Sequence, residues 1–298
     1  MPKPYLRMVA GLSGGVVILL TMWLWSASVP APPAVGSMTI ASTSAGPPAD
    51  PTARDLVPAE DVPTVPVLLY HHLEPGADGT NGAIISTAEF ERQMAWLKAN
   101  GYTSITTAQL LSWLEDGQPL PERPVMITFD DGYRSNYTYA YPVLQQHGFN
   151  AIIFMLTGLA GQKFGTLEYL TWEDMRAMAA SGLIEIHAHS HDGHRYIGED
   201  PALIAWSAEE ILADWHQLTG AMAAAGLPAP TAYAYPFGEY DEECIDALRA
   251  AGVKLGFTVE HGRVGQDHDA LRLNRLVVYP GMDECGFARL VTGRSVCH

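Results

Sequence analysis

From Val65 onward, short apolar runs alternate with stretches whose apolar residues recur at helical spacing. Val65–Tyr70 (VPVLLY) reads as a strand. Thr87–Asn100 reads as a helix with Phe90, Met94 and Leu97 on one face, as a 3.6-residue period requires. A second helix is predicted over Thr107–Asp116, a strand over Val125–Phe129 and a helix over Asn136–His147. Further strands are expected at Ala151–Leu156, Leu183–His189, Thr231–Tyr235, Leu255–Val259 and Leu273–Val278. The intervening helices are expected at Thr171–Ser181, Ser207–Ala225, Asp241–Ala251 and Asp283–Thr292. Thr171 with Asp174 three residues on is a helix-start signature, because the two side chains satisfy amides that the first turn leaves unpaired. Strands alternating with helices predict a parallel α/β architecture. About seven strands in roughly 235 residues suit a distorted (β/α)7-type barrel better than an open sheet. In either, working groups lie at the carboxyl ends of the strands, where Asp130, His189 and Pro236 fall.

Upstream the alternation is absent. Met8–Ala27 carries no charge and follows Lys3 and Arg7, a run long enough to span a bilayer with its positive flank in the cytoplasm. Residues 1–28 therefore read as a signal anchor or, given the small residues Ser26, Ala27 and Ser28, as a cleavable signal peptide. Either exports the rest of the chain, to an extracellular or membrane-anchored location. Residues 29–64, rich in Pro, Ala, Ser, Thr and Gly, read as a tether, and residues 65–298 as one catalytic domain.

Hydrophobic residues make up 48% of the chain and charged residues 17%, enough for a sizeable core. The formal net charge of −16 argues against nucleic acid and against docking on anionic lipid. Membrane contact is expected only through the N-terminal segment, and the chain is expected to be a monomer. Cys244, Cys285 and Cys297 form no CxxC pair. Export would permit one disulfide, with Cys285 and Cys297 near enough in sequence to pair, and would leave an odd thiol.

Two features carry chemistry. Thr128–Gly132 (TFDDG) sets two carboxylates at the end of an apolar run, where the plain reading is an acidic turn closed by glycine. Ile184–His194 (IEIHAHSHDGH) holds His187, His189, His191 and His194, a density that points to metal binding. Consecutive strand residues point to opposite sides, so one Asp can bind a metal while its neighbour addresses a water beside it. Spacing leaves two histidine sets open: His187, His189 and His191 facing one way, or His189 from the strand end with His194 from the loop. Two His and one Asp leave open positions on a metal, and the second Asp then serves as general base.

TFDDG, a strand ending in His189-Ser190 and the following His194 together resemble the carbohydrate esterase family 4 polysaccharide deacetylases, also called the NodB-homology family. The resemblance covers most of residues 65–298. It implies Asp130 as base and Asp131, His189 and His194 as metal ligands, with His187 and His191 beside them or in solvent. The family's second motif is usually His-Ser/Thr-x-x-His. The spacing here is one residue longer, and with the opening VPVLLYHH it looks like the branch that deacetylates poly-β-1,6-N-acetylglucosamine.

Ala234–Gly238 (AYPFG) stands where the family has Arg-x-Pro-Tyr-Gly. It implies an oxyanion-stabilising backbone N–H at Phe237 and a substrate contact from Tyr235, while His71, at the strand end of the VPVLLYHH opening, is a further candidate to contact substrate. Ala234 replaces the arginine that orients the base. No Leu-His-Asp motif follows, so His261 is the candidate acid and Arg275, on the final strand, the candidate for part of the missing apparatus. The implied function is metal-dependent N-deacetylation of an N-acetylglucosamine-containing extracellular or cell-wall polysaccharide, with release of acetate. Zinc is the expected metal, and nickel, cobalt or iron would accept the same ligands. Two alternatives use the same fold: an O-acetyl or aryl esterase, and a non-catalytic glycan-binding module.

Overall fold

Ala151–Leu156 (AIIFML) is apolar at every position, which suits a strand only if both of its faces are covered. In the computed structural model, which describes residues 63–294, every residue of that strand is buried. The expected export segment over residues 1–28 and nearly all of the tether over 29–64 lie outside the described residues, as does Cys297. Thr64, assigned to the tether's end, pairs with Gly265.

The parallel strands are β1 (Val67–Tyr70), β2 (Pro124–Phe129), β3 (Ala151–Leu156), β4 (Ile184–Ser190), β5 (Ala232–Ala234), β6 (Leu255–His261) and β7 (Leu273–Val277). They lie side by side in chain order, and β7 and β2 both pair with β1, so the sheet closes into a barrel of seven parallel strands. The helices are α1 (Thr87–Ala99), α2 (Thr107–Asp116), α3 (Tyr141–His147), α4 (Trp172–Ala180), α5 (Ala208–Ala224), α6 (Glu242–Ala250) and α7 (Glu284–Thr292). Four of them, α1, α2, α4 and α5, start with reciprocal capping boxes, including the Thr171–Asp174 pair expected from sequence.

Strand alternation divides the core in two. Val67, Met126, Ile152, Phe154, Ala232, Ala234, Leu255, Phe257 and Leu273 fill the barrel, together with Leu110 and Trp113 of α2. Leu68, Tyr70, Ile127, Phe129, Ile153, Ile186 and Tyr233 face outward and pack with helix residues such as Phe90, Met94, Leu144, Trp215, Leu248 and Phe287.

The expected helix over Asn136–His147 is two pieces. Asn136–Ala140 forms a π-turn, in which the Tyr141 N–H donates to the Asn136 carbonyl, and α3 follows. Pro142 has no N–H to give, so the ordinary ladder is interrupted there. Two short hairpins went unforeseen because their two-residue strands are too short to show a period. One pairs Lys163–Phe164 with Leu167–Glu168, in the loop after β3; the other pairs Tyr196–Ile197 with Asp200–Pro201, after β4. Among the described residues no helix is long and apolar enough to cross a membrane.

Cys285 is disulfide-bonded, whereas Cys244 is a buried free thiol. Burial foremost, with the Asp241 charge, pushes the Cys244 thiol up to about 12. At about pH 8 its thiolate fraction is then on the order of one in ten thousand. Cys244 should resist alkylation in the native protein and label promptly in denaturant. Rapid native labelling at Cys244, read by peptide mapping, would contradict the packing described.

Candidate active site

The chain bends at the carboxyl ends of β2, β4 and β5 through residues in the left-handed backbone region: Asp131 (φ 70°), Ser190 (φ 112°) and Phe237 (φ 60°). Arg123 is the one other non-glycine residue with positive φ among those described. Each such residue costs on the order of 1–3 kcal/mol and persists only where its surroundings hold it. Gly132 and Gly238 hold two of these bends tightly. A Cβ at Gly132 would collide with the Met155 sulfur, and one at Gly238 with Val259. β2 has already ended at Phe129, so simple strand alternation does not govern the acid pair. The left-handed turn at Asp131 brings its carboxylate to the same end of the barrel as that of Asp130.

Asp131 Oδ1 lies 3.4 Å from His189 Nε2 and 3.6 Å from His194 Nε2. The oxygen is buried and has no hydrogen-bond partner. Leaving a buried acceptor unpaired costs about 1–3 kcal/mol, more for a charged one. The spacing fits a shared cation: tetrahedral ligands about 2.0–2.1 Å from zinc stand roughly 3.3 Å from one another. Among the described residues, these three form the one group of His, Cys or acidic side chains that converges so closely.

His189 is held for that task. Its Nδ1 lies 2.8 Å from the Ala234 carbonyl, which can only accept, so Nδ1 carries the proton and Nε2 presents its lone pair. The loop carrying His194 is tied down by Asp214 of α5, which accepts the His191 and Asp192 amides at 2.8 and 2.7 Å. The Phe237 ring packs on His194 at 4.1 Å between centroids, and Tyr196 packs on Phe237 at 4.8 Å.

Asp130 answers to a different partner. Arg275 of β7 grips both its oxygens at 2.7 Å, and the two side chains are 0% and 3% exposed. A further bond from Arg275 Nε to the Thr258 carbonyl, at 2.8 Å, sets the guanidinium plane. Burial alone would raise the Asp130 pKa, but Arg275, then His189 and His71, outweigh it and hold it below the ordinary value. Asp131 is likewise pushed up by burial and held well below the carboxylate range by His189, His194 and His71. His189 is disfavoured as a cation by burial but raised overall by Asp130 and Asp131; His194 is lowered, mainly by burial.

His71 stands beside the acid pair, because the Asp130 N–H donates to the carbonyl of its neighbour Tyr70 at 2.9 Å. The His71 carbonyl accepts a 2.8 Å bond from Asn136 Nδ2, while Ser135 Oγ accepts the Leu73 N–H at 3.0 Å and meets His72 Nδ1 at 2.9 Å. The π-turn after the acid pair therefore fastens the end of β1.

Other sequence candidates go elsewhere. Tyr235, expected to contact substrate, is fully buried in the helix-facing layer and donates to the Leu271 carbonyl at 2.8 Å; it is a packing residue, because its strand position faces away from the barrel. His187 is neither beside the ligands nor in solvent. It is buried lower in the barrel against Glu185, with its Nδ1 accepting the Thr231 and Ala232 amides. His191 meets Thr157 Oγ1 at 3.0 Å. His261 is exposed at the end of β6 and its side chain has no hydrogen bond or ion pair among the described residues. Tyr133 and Tyr169 escaped the sequence reading; their phenols are pushed up by burial and then by the neighbouring Asp131. Tyr133 follows the acid motif closely, but nothing in the sequence ties Tyr169 to it.

Comparison with known proteins gives a consistent set. The family model described as polysaccharide deacetylase matches residues 117–256. YxkH of Bacillus subtilis (strain 168), whose name places it with those enzymes, is 34% identical over 227 residues, 76% of this chain and 76% of its own length. The poly-beta-1,6-N-acetyl-D-glucosamine N-deacetylase of Escherichia coli (strain K12) is 30% identical over 224 residues, 65% of this chain. The match spans only 33% of that larger enzyme. Among solved structures, IcaB from Ammonifex degensii superposes with a TM-score of 0.68 at 26% identity, covering 76% of this chain and 95% of that one. The Streptococcus pyogenes deacetylase PplD shares the fold, with a TM-score of 0.67 at 22% identity over 77% of this chain and 99% of its own.

The Asp130–Arg275 pair can be tested by stability alone. Arg275→Ala strands a buried carboxylate and should cost about 3–5 kcal/mol in urea unfolding. Arg275→Lys keeps the charge but loses the two-pronged grip, and should fall between. An Arg275→Ala midpoint equal to wild type would show that the pair does not constrain the barrel.

Proposed function

Because this chain belongs to the polysaccharide deacetylase family, we propose that it removes N-acetyl groups from an N-acetylglucosamine polymer with the help of a divalent metal. The observation that carries the metal reading is the unpaired, buried Asp131 Oδ1 facing two imidazole nitrogens. Asp131, His189 and His194 would hold the ion, zinc being the first expectation for such a set. When bound, it supplies a Lewis-acidic charge that acidifies water and offsets negative charge on the acetamide oxygen. The names of the Escherichia coli and Staphylococcus aureus relatives support a β-1,6-linked N-acetylglucosamine polymer as the substrate class.

The chain's own residues divide the remaining work. Asp130, kept ionised by Arg275, takes the proton from the attacking water. The new C–O bond forms at the acetyl carbon, and the Phe237 backbone N–H donates to the oxygen that gains charge. Collapse breaks the C–N bond and expels the amine, whose nitrogen keeps the bonding pair and must receive a proton, and the carbonyl re-forms as acetate. We assign that proton to His71 rather than His261, because the Asp130 N–H donates to the carbonyl of Tyr70, next to His71, at 2.9 Å, whereas His261 is exposed at the end of β6. Asn136 would act through His71 by holding its backbone.

Export is part of this reading. The disulfide at Cys285 supports an oxidising compartment, and the uncharged run Met8–Ala27 supports delivery there.

The test is acetate release from N-acetylglucosamine oligomers, beside metal content measured on the same samples. Chelation should abolish release, and divalent metal should restore it. Asp131→Asn and His194→Ala should bind less metal and lose most activity. Asp130→Asn should keep its metal and slow by on the order of 10²–10⁴-fold, while His71→Ala should slow amide cleavage more than cleavage of an aryl acetate, whose leaving group needs no proton. Undiminished turnover by Asp130→Asn would remove the base assignment, and aryl-ester cleavage without amide cleavage would favour the esterase alternative.

A further inference from the structure

We propose that the Lys163–Glu168 hairpin is a glycan platform, on which the sugar neighbouring the reacting residue stacks its apolar face against Phe164. The inference rests on the deacetylase reading and adds to it a site for the polymer beyond the residue being cleaved.

Its first support is the distribution of exposed apolar side chains. The large exposed hydrophobics among the described residues are Tyr139, Phe164, Ile197, Val259 and Tyr279. All but Tyr139 lie at, or just beyond, the carboxyl ends of barrel strands: Phe164 after β3, Ile197 after β4, Val259 within β6 and Tyr279 after β7. Apolar surface concentrated around one mouth marks a place of contact. Phe164 is 55% exposed, beside Gly165 at the hairpin's tip.

The second support is continuity with the acids. The Phe164 and Tyr169 rings meet edge to face at 6.1 Å, and Tyr169 lies 5.1 Å from Tyr133. Aromatic surface thus runs from the exposed tip to the residue two places after Asp131. The backbone is tied along the same path. Arg134 N–H donates to the Glu168 carbonyl at 2.7 Å, Leu170 N–H donates to the Gly132 carbonyl at 2.9 Å, and Tyr133 and Tyr169 form a bridge. Arg134 also pairs with Glu168 and Asp174 at 3.1 and 3.3 Å. The hairpin is therefore fixed relative to the bend that sets Asp131, as a platform must be if a sugar bound there is to position its neighbour.

The third support is chemical. A pyranose with equatorial substituents presents C–H groups on its faces, and aromatic rings offer matching apolar area with little rotamer entropy to lose. A bilayer is the rival occupant of an apolar rim. The net charge of −16 opposes an anionic surface, and the hairpin's own cation, Lys163, is paired with Glu168.

The experiment compares wild type, Phe164→Ala and Phe164→Trp on N-acetylglucosamine oligomers of increasing length. Wild-type kcat/KM should rise with length. Phe164→Ala should match it within about twofold on the shortest substrate and fall about tenfold below it on the longest, while Phe164→Trp retains the rise. Equal kcat/KM for wild type and Phe164→Ala at every length, or an equal loss at every length, would overturn the platform and leave the deacetylase reading intact. Vesicle binding that disappears in Phe164→Ala, with an unchanged length series, would assign the rim to lipid and overturn it too. No acetate release by wild type at any length would overturn the functional reading and the platform with it.

Discussion

The buried pair between Asp130 and Arg275 is the constraint around which the site is arranged. Neither charge could stay inside a barrel filled by Phe154, Phe257 and aliphatic side chains without the other. The two come from β2 and β7, the strands on either side of β1, so the pair forms only when the sheet closes. Closure is thereby what lets Asp130 keep its charge once it is buried. The bond from Arg275 Nε to the Thr258 carbonyl and the contact of its guanidinium with the Phe154 ring, at 5.8 Å, leave Arg275 a single orientation. Asp130 is consequently aimed as well as charged, which a flexible lysine at the same place would not achieve.

Around this pair the backbone stores strain where chemistry is expected. Asp131, Ser190 and Phe237 are left-handed residues at or just beyond the ends of three different barrel strands. These bends turn the chain sharply enough to set Asp131 Oδ1, His189 Nε2 and His194 Nε2 near one point, while burying an oxygen with no hydrogen-bond partner. Both the strain and the unpaired acceptor are unfavourable by themselves. The dense packing behind them, Met155 against Gly132 and Val259 against Gly238, offsets part of that and prevents relaxation.

The barrel was readable from the sequence because its strands are covered on both faces and its helices on one, two patterns that differ in period. Asp130 and Asp131 were readable because acids are out of place at the end of an apolar strand. The choice of His189 with His194 was different: spacing left the histidine sets open, and resemblance to a family selected one. Tyr235 shows what motif matching can overlook. In β5 and the residue after it, the small Ala232 and Ala234 alternate with Tyr233 and Tyr235, a parity that sends the tyrosines toward the helices. Arg275 was expected to replace part of the missing leaving-group apparatus and instead grips Asp130, since no spacing connects it to an acid so far away in sequence. Asp214 and Tyr169 gave no signal, because an acid inside a helix and a tyrosine in a loop each have many ordinary uses.

Local charge explains why an acidic chain can build a site for an oxyanion. Arg275 cancels Asp130, so the ligand set carries the single negative charge of Asp131 beside two imidazoles. A divalent cation in that set would leave one net positive charge at the mouth, the sign that a carbonyl oxygen gaining charge requires. Without Arg275, Asp130 would bring a second uncompensated carboxylate beside that set, and in the proposed mechanism the positive charge offered to the oxyanion would be lost. In the proposed mechanism, the arginine on the last strand therefore gives two adjacent, chemically identical acids different partners, a distinction that the left-handed residue Asp131 makes geometrically possible.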